Sequence, residues 1–170
     1  SSRFGKELAA GKPWYEVLTQ PGITVGRTDP KLDPKGVLTV KAVESAAKRL
    51  GDPALAEKLA SFPVFPETAL VGRLQSGQLD AGFFYAIEAN VAHIHTVSLM
   101  PVSETAAYTV TILNHASQQA AAEAFVRYLL ADSRAPTLTG SGLNPLSPKL
   151  TGEAAAVPSG VRGAVGAGAP

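Results

Sequence analysis

The stretch FPETALVGRLQSGQLDAGFFYAIEA (65–89) carries the pattern that decides the fold of this chain. Apolar residues at helical spacing, followed by Gly77 as a stop, predict a helix over 67–76. The nearly all-apolar run 81–85 predicts a strand that is covered on both faces, and a second helix is expected over 86–92. Because strands that alternate with helices are typical of α/β proteins, we expect a mostly parallel sheet flanked by helices.

The preceding stretch ITVGRTDPKLDPKG (23–36) has the same order of strand and helix. Its β-branched start predicts a strand over 23–27, and the dense turn residues of 28–36 lead into a helix over 35–50 that ends at Gly51. Further helices are expected over 3–10, 13–19, 53–60 and 117–131, and further strands over 95–99 and 108–113. From these elements we expect one α/β ligand-binding lobe over 1–140 and a loop or tail over 141–170, where Pro, Gly, Ser and Ala prevail.

The composition excludes several classes of function. Lys and Arg number 15 against 14 Asp and Glu, so the net charge of +1 provides no electrostatic footprint for nucleic acid. The absence of cysteine excludes disulfides, thiol catalysis and cysteine-ligated metals. Although 45% of the residues are apolar, no uninterrupted run approaches the length of a membrane span.

Motifs for catalysis are also missing from the sequence. It contains no nucleophile elbow, phosphate-binding loop, zinc-protease helix or dinucleotide fingerprint, so we expect neither catalysis nor a cofactor. His93 and His95 would share one face of a strand, but two ligands do not complete a zinc site, and solvent-facing histidines are the simpler interpretation.

The candidate site residues lie where predicted strands pass into helices. Asp33 precedes the helix that contains Lys35, Glu67 and Thr68 open the next helix, and Tyr85 ends a strand. Ligands of open α/β sheets bind at this carboxyl edge, beside the positive ends of helices. Structural roles remain open for each residue: Asp33 as a helix cap, Glu67 as a partner of the helix dipole, and Tyr85 as a core ring with a surface hydroxyl.

Several stretches, in this order, resemble one protein family: WYEVL (14–18), TVGRTDPKLDPKG (24–36), the 65–89 stretch, AYTVTILNHASQQAAAEAFVRYLL (107–130) and GLNPL (142–146). The chain resembles the periplasmic tungstate/molybdate-binding proteins of ABC importers, a group of extracellular solute-binding proteins, over roughly residues 12–150. The ordered set is specific for the family and less specific for tungstate over molybdate.

The resemblance implies a lobe of the periplasmic binding protein type (type II), one half of a clamp that closes on a tetrahedral oxyanion. It implies ligand-binding roles for the Asp33, Glu67 and Tyr85 side chains and for the backbone N–H groups of Lys35 and Thr68. Asp33 and Glu67 would act as metal ligands only toward bound tungstate or molybdate. The expected partners are the oxyanion and a membrane permease, and the expected location is periplasmic or extracellular, with a lipoprotein anchor as an option.

The chain departs from that family at its start. We expect it to begin after the crossover into the second lobe and to lack the N-terminal part of the first, with 107–140 returning toward the missing lobe. The helix over 117–131 would then expose an apolar face, which favours a homo-oligomer. Two alternatives stay open: a truncated lobe with a structural, self-associating role and no transport, and a receptor for another oxyanion such as sulfate or phosphate.

The two acidic residues raise an energetic question about a dianionic ligand. Each ionised carboxylate about 4 Å from the ligand would repel each of its charges by about 4 kcal/mol at an effective dielectric constant near 20. Helix N-termini with charge-assisted N–H bonds, or direct ligation of the metal centre by the carboxylates, would have to compensate. Without either, Asp33 and Glu67 are only caps.

Overall fold

The structure, a computed structural model, describes residues 3–102 and 104–165 of the chain. Two compact units are present: the chain up to Ala106 and the chain from Ala107 onward. The division at residue 140 into lobe and tail stays a prediction.

The first unit contains six helices in its described residues, and their positions agree with the predicted ones. They are α1 (Arg3–Ala9), α2 (Trp14–Leu18), α3 (Pro34–Leu50), α4 (Pro53–Ala60), α5 (Glu67–Gln75) and α6 (Ala86–Val91). Local sequence explains their ends: the Asp33 and Asp52 side chains accept hydrogen bonds from the first turns of α3 and α4. Gly51 ends α3 with φ of 66°, a left-handed conformation that favours glycine.

The sheet is parallel but smaller than expected. Strands β1 (Val25–Gly26) and β2 (Ala81–Gly82) pair in parallel, with Val25 opposite Ala81. A third extended segment lies beside β1, where Arg27 forms a parallel bridge with Val64. The predicted strands over 23–27 and 81–85 are therefore confirmed in position, although each is shorter.

The predicted strands over 95–99 and 108–113 were wrong, because neither segment is extended in a sheet in the described chain. The second segment exposes its largest apolar side chains, with Val110 at 50% and Leu113 at 73%. A segment of high strand propensity forms a hydrogen-bonded ladder only where a neighbouring strand is available. The described residues supply no such neighbour here.

The core of the first unit joins the helices to β1. Trp14 packs edge-to-face on Phe83, with ring centroids 6.4 Å apart, and its indole N–H donates to the backbone oxygens of Leu99 and Met100 at 3.0 and 3.1 Å. The remaining buried members of this cluster are mostly aliphatic: Leu18, Val25, Ala42, Val43, Ala46, Ala47, Leu55, Leu59, Phe62 and Val102.

Two leucine side chains pack closely on the backbone of Gly26, and both would have to shift to admit a side chain there. A Cβ atom there would lie 2.6 Å from Cδ1 of both Leu70 and Leu79. The Asp80 carboxylate accepts the backbone N–H and the hydroxyl of Thr24, at 3.0 and 2.9 Å, and so joins the starts of the two strands. Leu70 is the residue by which α5 packs on β1 at Gly26.

The second unit contains α7 (Gln119–Leu130) and α8 (Ala135–Gly140), with short 3-10 turns at Asp132–Arg134, Ala154–Ala156 and Arg162–Ala164. Its buried apolar residues include Val126 and Val161. Phe125, which the helical pattern assigns to the same apolar face as Val126, is 59% exposed. Among the described residues, no helix combines the length and apolar character that a membrane crossing requires.

Candidate functional site

Three extended segments run in parallel and each passes into a helix. Strand β1 leads to α3, the segment around Val64 leads to α5, and β2 leads to α6. Asp33 is the N-cap residue of α3, Glu67 is the first residue of α5, and Tyr85 is the N-cap residue of α6. The candidate residues therefore lie at three adjacent helix starts in the first unit.

The Lys35 side chain connects these helix starts. It is 4% exposed, and its ammonium nitrogen Nζ lies 2.8 Å from both Glu88 carboxylate oxygens and 3.6 Å from Glu67 Oε1. The same nitrogen lies 5.7 Å from the ring centroid of Phe84 and 5.6 Å from that of Tyr85. One buried cation from α3 is thus held by carboxylates from α5 and α6.

Glu67 and Glu88 differ in how firmly they are held. The Glu88 side chain is 19% exposed and accepts the Tyr85 N–H at 3.0 Å, whereas the Glu67 side chain is 54% exposed. A hydrogen bond to Glu88, with burial as a further cause, raises the pKa of Glu67. Burial alone would raise the pKa of Glu88, but hydrogen bonds with Glu67, Lys35 and Tyr85 outweigh it and lower that pKa.

The two carboxylate oxygens of Asp33 have different surroundings. Its Oδ1 accepts the Lys35 N–H at 2.8 Å, which is the helix-cap role considered from sequence. Within the described part of the chain, Asp33 Oδ2 and the hydroxyl of Thr28 are buried without a hydrogen-bond partner. The Lys35 N–H, expected from the resemblance to face a ligand, instead donates to Asp33, and the Lys35 side chain reaches the acidic groups.

Thr68 lies beside Glu67 on an open groove of about 450 Å³ between α5 and α6. Most of the groove wall is apolar and comes from Val71, Ile87, Val91 and Ala92. Glu67 and Glu88 also line the groove. The groove therefore places Thr68 next to the carboxyl pair.

The start of α3 is fixed against the loop that follows β1. A Cβ atom at Gly36 would lie 2.6–2.7 Å from backbone atoms of Thr28, Asp29 and Pro30. The helix start therefore touches the loop backbone directly. This contact holds Asp33 and Lys35 in place relative to β1.

Glu88 and the Lys35 side chain were missed by sequence reasoning. One usable signal was Lys35 itself, because a cation at the second residue of a helix faces the positive end of the helix dipole and needs carboxylates nearby. Another was the position of Glu88, three residues after the N-cap Tyr85, where a carboxylate can accept the N-cap N–H.

In residues 3–102 and 104–165, no three His, Asp or Glu side chains are arranged to hold a metal ion. His93 and His95 are both exposed, and the strand expected to carry His95 is absent from the described chain.

A sequence model of one protein family matches residues 6–144, which is most of the chain. That family is described as bacterial extracellular solute-binding protein. This chain belongs to that family. The resemblance derived from sequence is confirmed at the level of the family.

Three relatives from different organisms are similar to this chain. A Haloferax volcanii protein, provisionally named an ABC transporter molybdenum-binding protein, is 31% identical over 156 residues, which cover 89% of this chain and 47% of the relative. A solute-binding protein of Halobacterium salinarum is 28% identical, over 78% of this chain and 52% of its own length. A Petrotoga mobilis solute-binding protein is 36% identical over 89 residues, which cover 49% of this chain and 27% of the relative.

The chain spans about half the length of the first two relatives, at 47% and 52%. No solved structure is significantly similar to it.

Proposed function

We propose that this chain is a lobe of the substrate-binding component of an ABC importer, and that it binds an oxyanion of the molybdate or tungstate type. The lobe is of the type II periplasmic binding protein class and acts in the periplasm or outside the cell. Its partners are the oxyanion and a membrane permease. Its role is capture and presentation, with no catalytic step.

The observation that carries this proposal is that Lys35, in the first turn of α3, contacts residues at the starts of α5 and α6. The N-terminal ends of α3 and α5 bear partial positive charge, and the Lys35 ammonium beside them offsets the negative charge of Glu88. Among the described residues, the buried Thr28 hydroxyl has no hydrogen-bond partner and can donate to an oxyanion oxygen, whereas Asp33 Oδ2, also without a partner, can act only as a ligand of the metal centre. This arrangement supports binding of an oxyanion by Asp33, Lys35, Glu67, Thr68 and Tyr85.

The choice of oxyanion follows from the relatives. The name of the Haloferax volcanii protein supports molybdate, and tungstate has the same tetrahedral shape and charge. Sulfate and phosphate are the alternative ligands that a binding experiment must compare with them.

Calorimetric titration of the chain with molybdate, tungstate, sulfate and phosphate tests the proposal. We expect binding of molybdate or tungstate and a loss of at least about tenfold in affinity, about 1.4 kcal/mol, in Glu67→Ala. Glu57→Ala, at an exposed position of α4, is the matched control and should bind as the unaltered chain does. Equal binding by Glu67→Ala would remove Glu67 from the site, and no binding of any oxyanion by the unaltered chain would reject the function.

A second candidate function is self-association of a non-transporting lobe. In the second unit the side chains of Tyr108, Leu113 and Phe125 are 65%, 73% and 59% exposed, and burial of such apolar surface in a second copy would favour association. Sedimentation velocity across a concentration series tests it. A monomer at every concentration would contradict this candidate.

A further inference from the structure

We propose that Lys35 is a positioning residue for the candidate site: its buried ammonium holds the half-exposed Glu67 carboxylate at the groove in ionised form, so that Glu67 can donate an electron pair to the metal centre of an oxyanion. This inference rests on the proposed function and deepens it by naming how Glu67 is held and how it binds. Neither the family description nor the names of the relatives assign a role to the Lys35 side chain.

The Lys35 ammonium is anchored on α6. Its Nζ lies 2.8 Å from both carboxylate oxygens of Glu88. The side chain is 4% exposed and lies beside the rings of Phe84 and Tyr85. A lysine that is buried in this way cannot follow a counterion into solvent, so its positive charge stays at a fixed point between the helix starts.

Glu67 is the carboxylate that the same ammonium holds more loosely. Its Oε1 lies 3.6 Å from Lys35 Nζ, longer than a hydrogen bond, and its side chain is 54% exposed. The two hydrogen bonds to Glu88 leave one of the three ammonium N–H groups for Glu67. Lys35 therefore restrains the Glu67 carboxylate, which lines the groove and stays accessible from it.

The ammonium also acts on the form in which Glu67 meets a ligand. Glu88 and burial raise the pKa of Glu67, and Lys35 opposes this rise. An ionised carboxylate has no proton to donate to an oxyanion oxygen, whereas it can donate an electron pair to hexavalent molybdenum or tungsten. In that step one bond forms between a Glu67 oxygen and the metal, no bond of the oxyanion breaks, and neither a proton nor an electron is transferred.

Calorimetric titration with molybdate at about pH 8, where Glu67 is ionised, tests whether Lys35 acts through Glu67. Lys35→Met/Glu88→Gln removes the cation without leaving a buried charge unpaired, and we expect it to lose about tenfold in affinity, as Glu67→Ala does. Adding Glu67→Ala to this double variant should cause no further loss, because a positioning residue acts only through the group it holds. Lys41→Met, at an exposed position of α3, is the matched control and should bind as the unaltered chain does.

Molybdenum X-ray absorption spectroscopy at saturating molybdate tests the ligation itself. We expect the bound ion to have more oxygen ligands on the unaltered chain than free molybdate has, and fewer on Glu67→Ala and on Lys35→Met/Glu88→Gln than on the unaltered chain. A tetrahedral ion on the unaltered chain would overturn the inference, whether or not the double variant folds.

The calorimetric outcomes separate this inference from the proposed function. Unchanged affinity of Lys35→Met/Glu88→Gln, or a loss that adds to that of Glu67→Ala, would contradict the positioning role and leave the proposed function in place. If neither molybdate nor tungstate binds to the unaltered chain, the proposed function and the positioning role are both rejected.

Discussion

At the scale of single residues, the burial of Lys35 determines what its neighbours must be. An ammonium with 4% exposure, at the start of a helix, is stable only with carboxylates in contact, and Glu88 provides both of its oxygens. Glu88 in turn is a partly buried anion, 19% exposed, whose partners include Lys35 and the Tyr85 N–H. Removing one member therefore leaves the other charged and poorly solvated.

We predict that Lys35→Met lowers the free energy of unfolding by about 3 kcal/mol, because it leaves the Glu88 carboxylate without its cation. The double variant Lys35→Met/Glu88→Gln should recover most of this loss, since no buried charge is then unpaired. Urea denaturation followed by circular dichroism measures both. A double variant as unstable as Lys35→Met would show that packing of the lysine stem, and not charge, causes the loss.

At the scale of elements, the site depends on how α3 starts against the loop after β1. Gly36 allows the helix backbone to touch the loop backbone, where a Cβ atom would come within 2.6–2.7 Å. The atoms it would meet are backbone atoms, which cannot rotate away as a side chain can. The position of Asp33 and Lys35 relative to β1 therefore depends on a residue without a side chain.

We predict that Gly36→Ala destabilises the chain by about 2 kcal/mol, because backbone atoms must move to admit the methyl group. Gly72→Ala is the matched control: position 72 lies inside α5 with no atom within 4 Å of the added Cβ, so alanine should stabilise by about 0.5–1 kcal/mol. Thermal unfolding of the two variants measures the contrast. Equal effects of the two substitutions would contradict the close contact at Gly36.

At the scale of the whole molecule, the two units differ in the packing and strand pairing that stabilise them. The first has a core around Trp14, with the parallel strands and helices of the candidate site. In the second, the segment over 108–113 has no strand partner among the described residues and exposes Leu113 by 73%. Local stability is expected to follow this difference in burial.

We predict that limited chymotrypsin digestion first cuts the chain near Tyr108, which is 65% exposed in a segment without helix or strand. Mass spectrometry identifies the cut. The product that ends there should keep the fluorescence of Trp14, the single tryptophan, and a cooperative unfolding transition. First cleavage at Tyr15 or Phe83, within or beside the core, would contradict this division of stability.

Local signals determined the helices and the place of the candidate residues. Asp33 with Pro34, Asp52 with Pro53, and Gly51 mark ends that depend on neighbours within a few residues, so the limits of α3 and α4 were predictable. The strand-to-helix order likewise predicted that Asp33, Glu67 and Tyr85 would lie at adjacent helix starts. Whether they bind an oxyanion stays a prediction.

The features that only the tertiary structure decided depend on contacts between distant parts of the chain. The segment over 108–113 has the composition of a strand but lacks a partner among the described residues, and pairing is not a local property. The ion pair of Lys35 and Glu88 joins residues 53 positions apart, and the Gly36 contact depends on how the loop after β1 returns to α3. Propensity acts within a turn or two of helix, whereas buried charge and close packing depend on which elements the fold brings together.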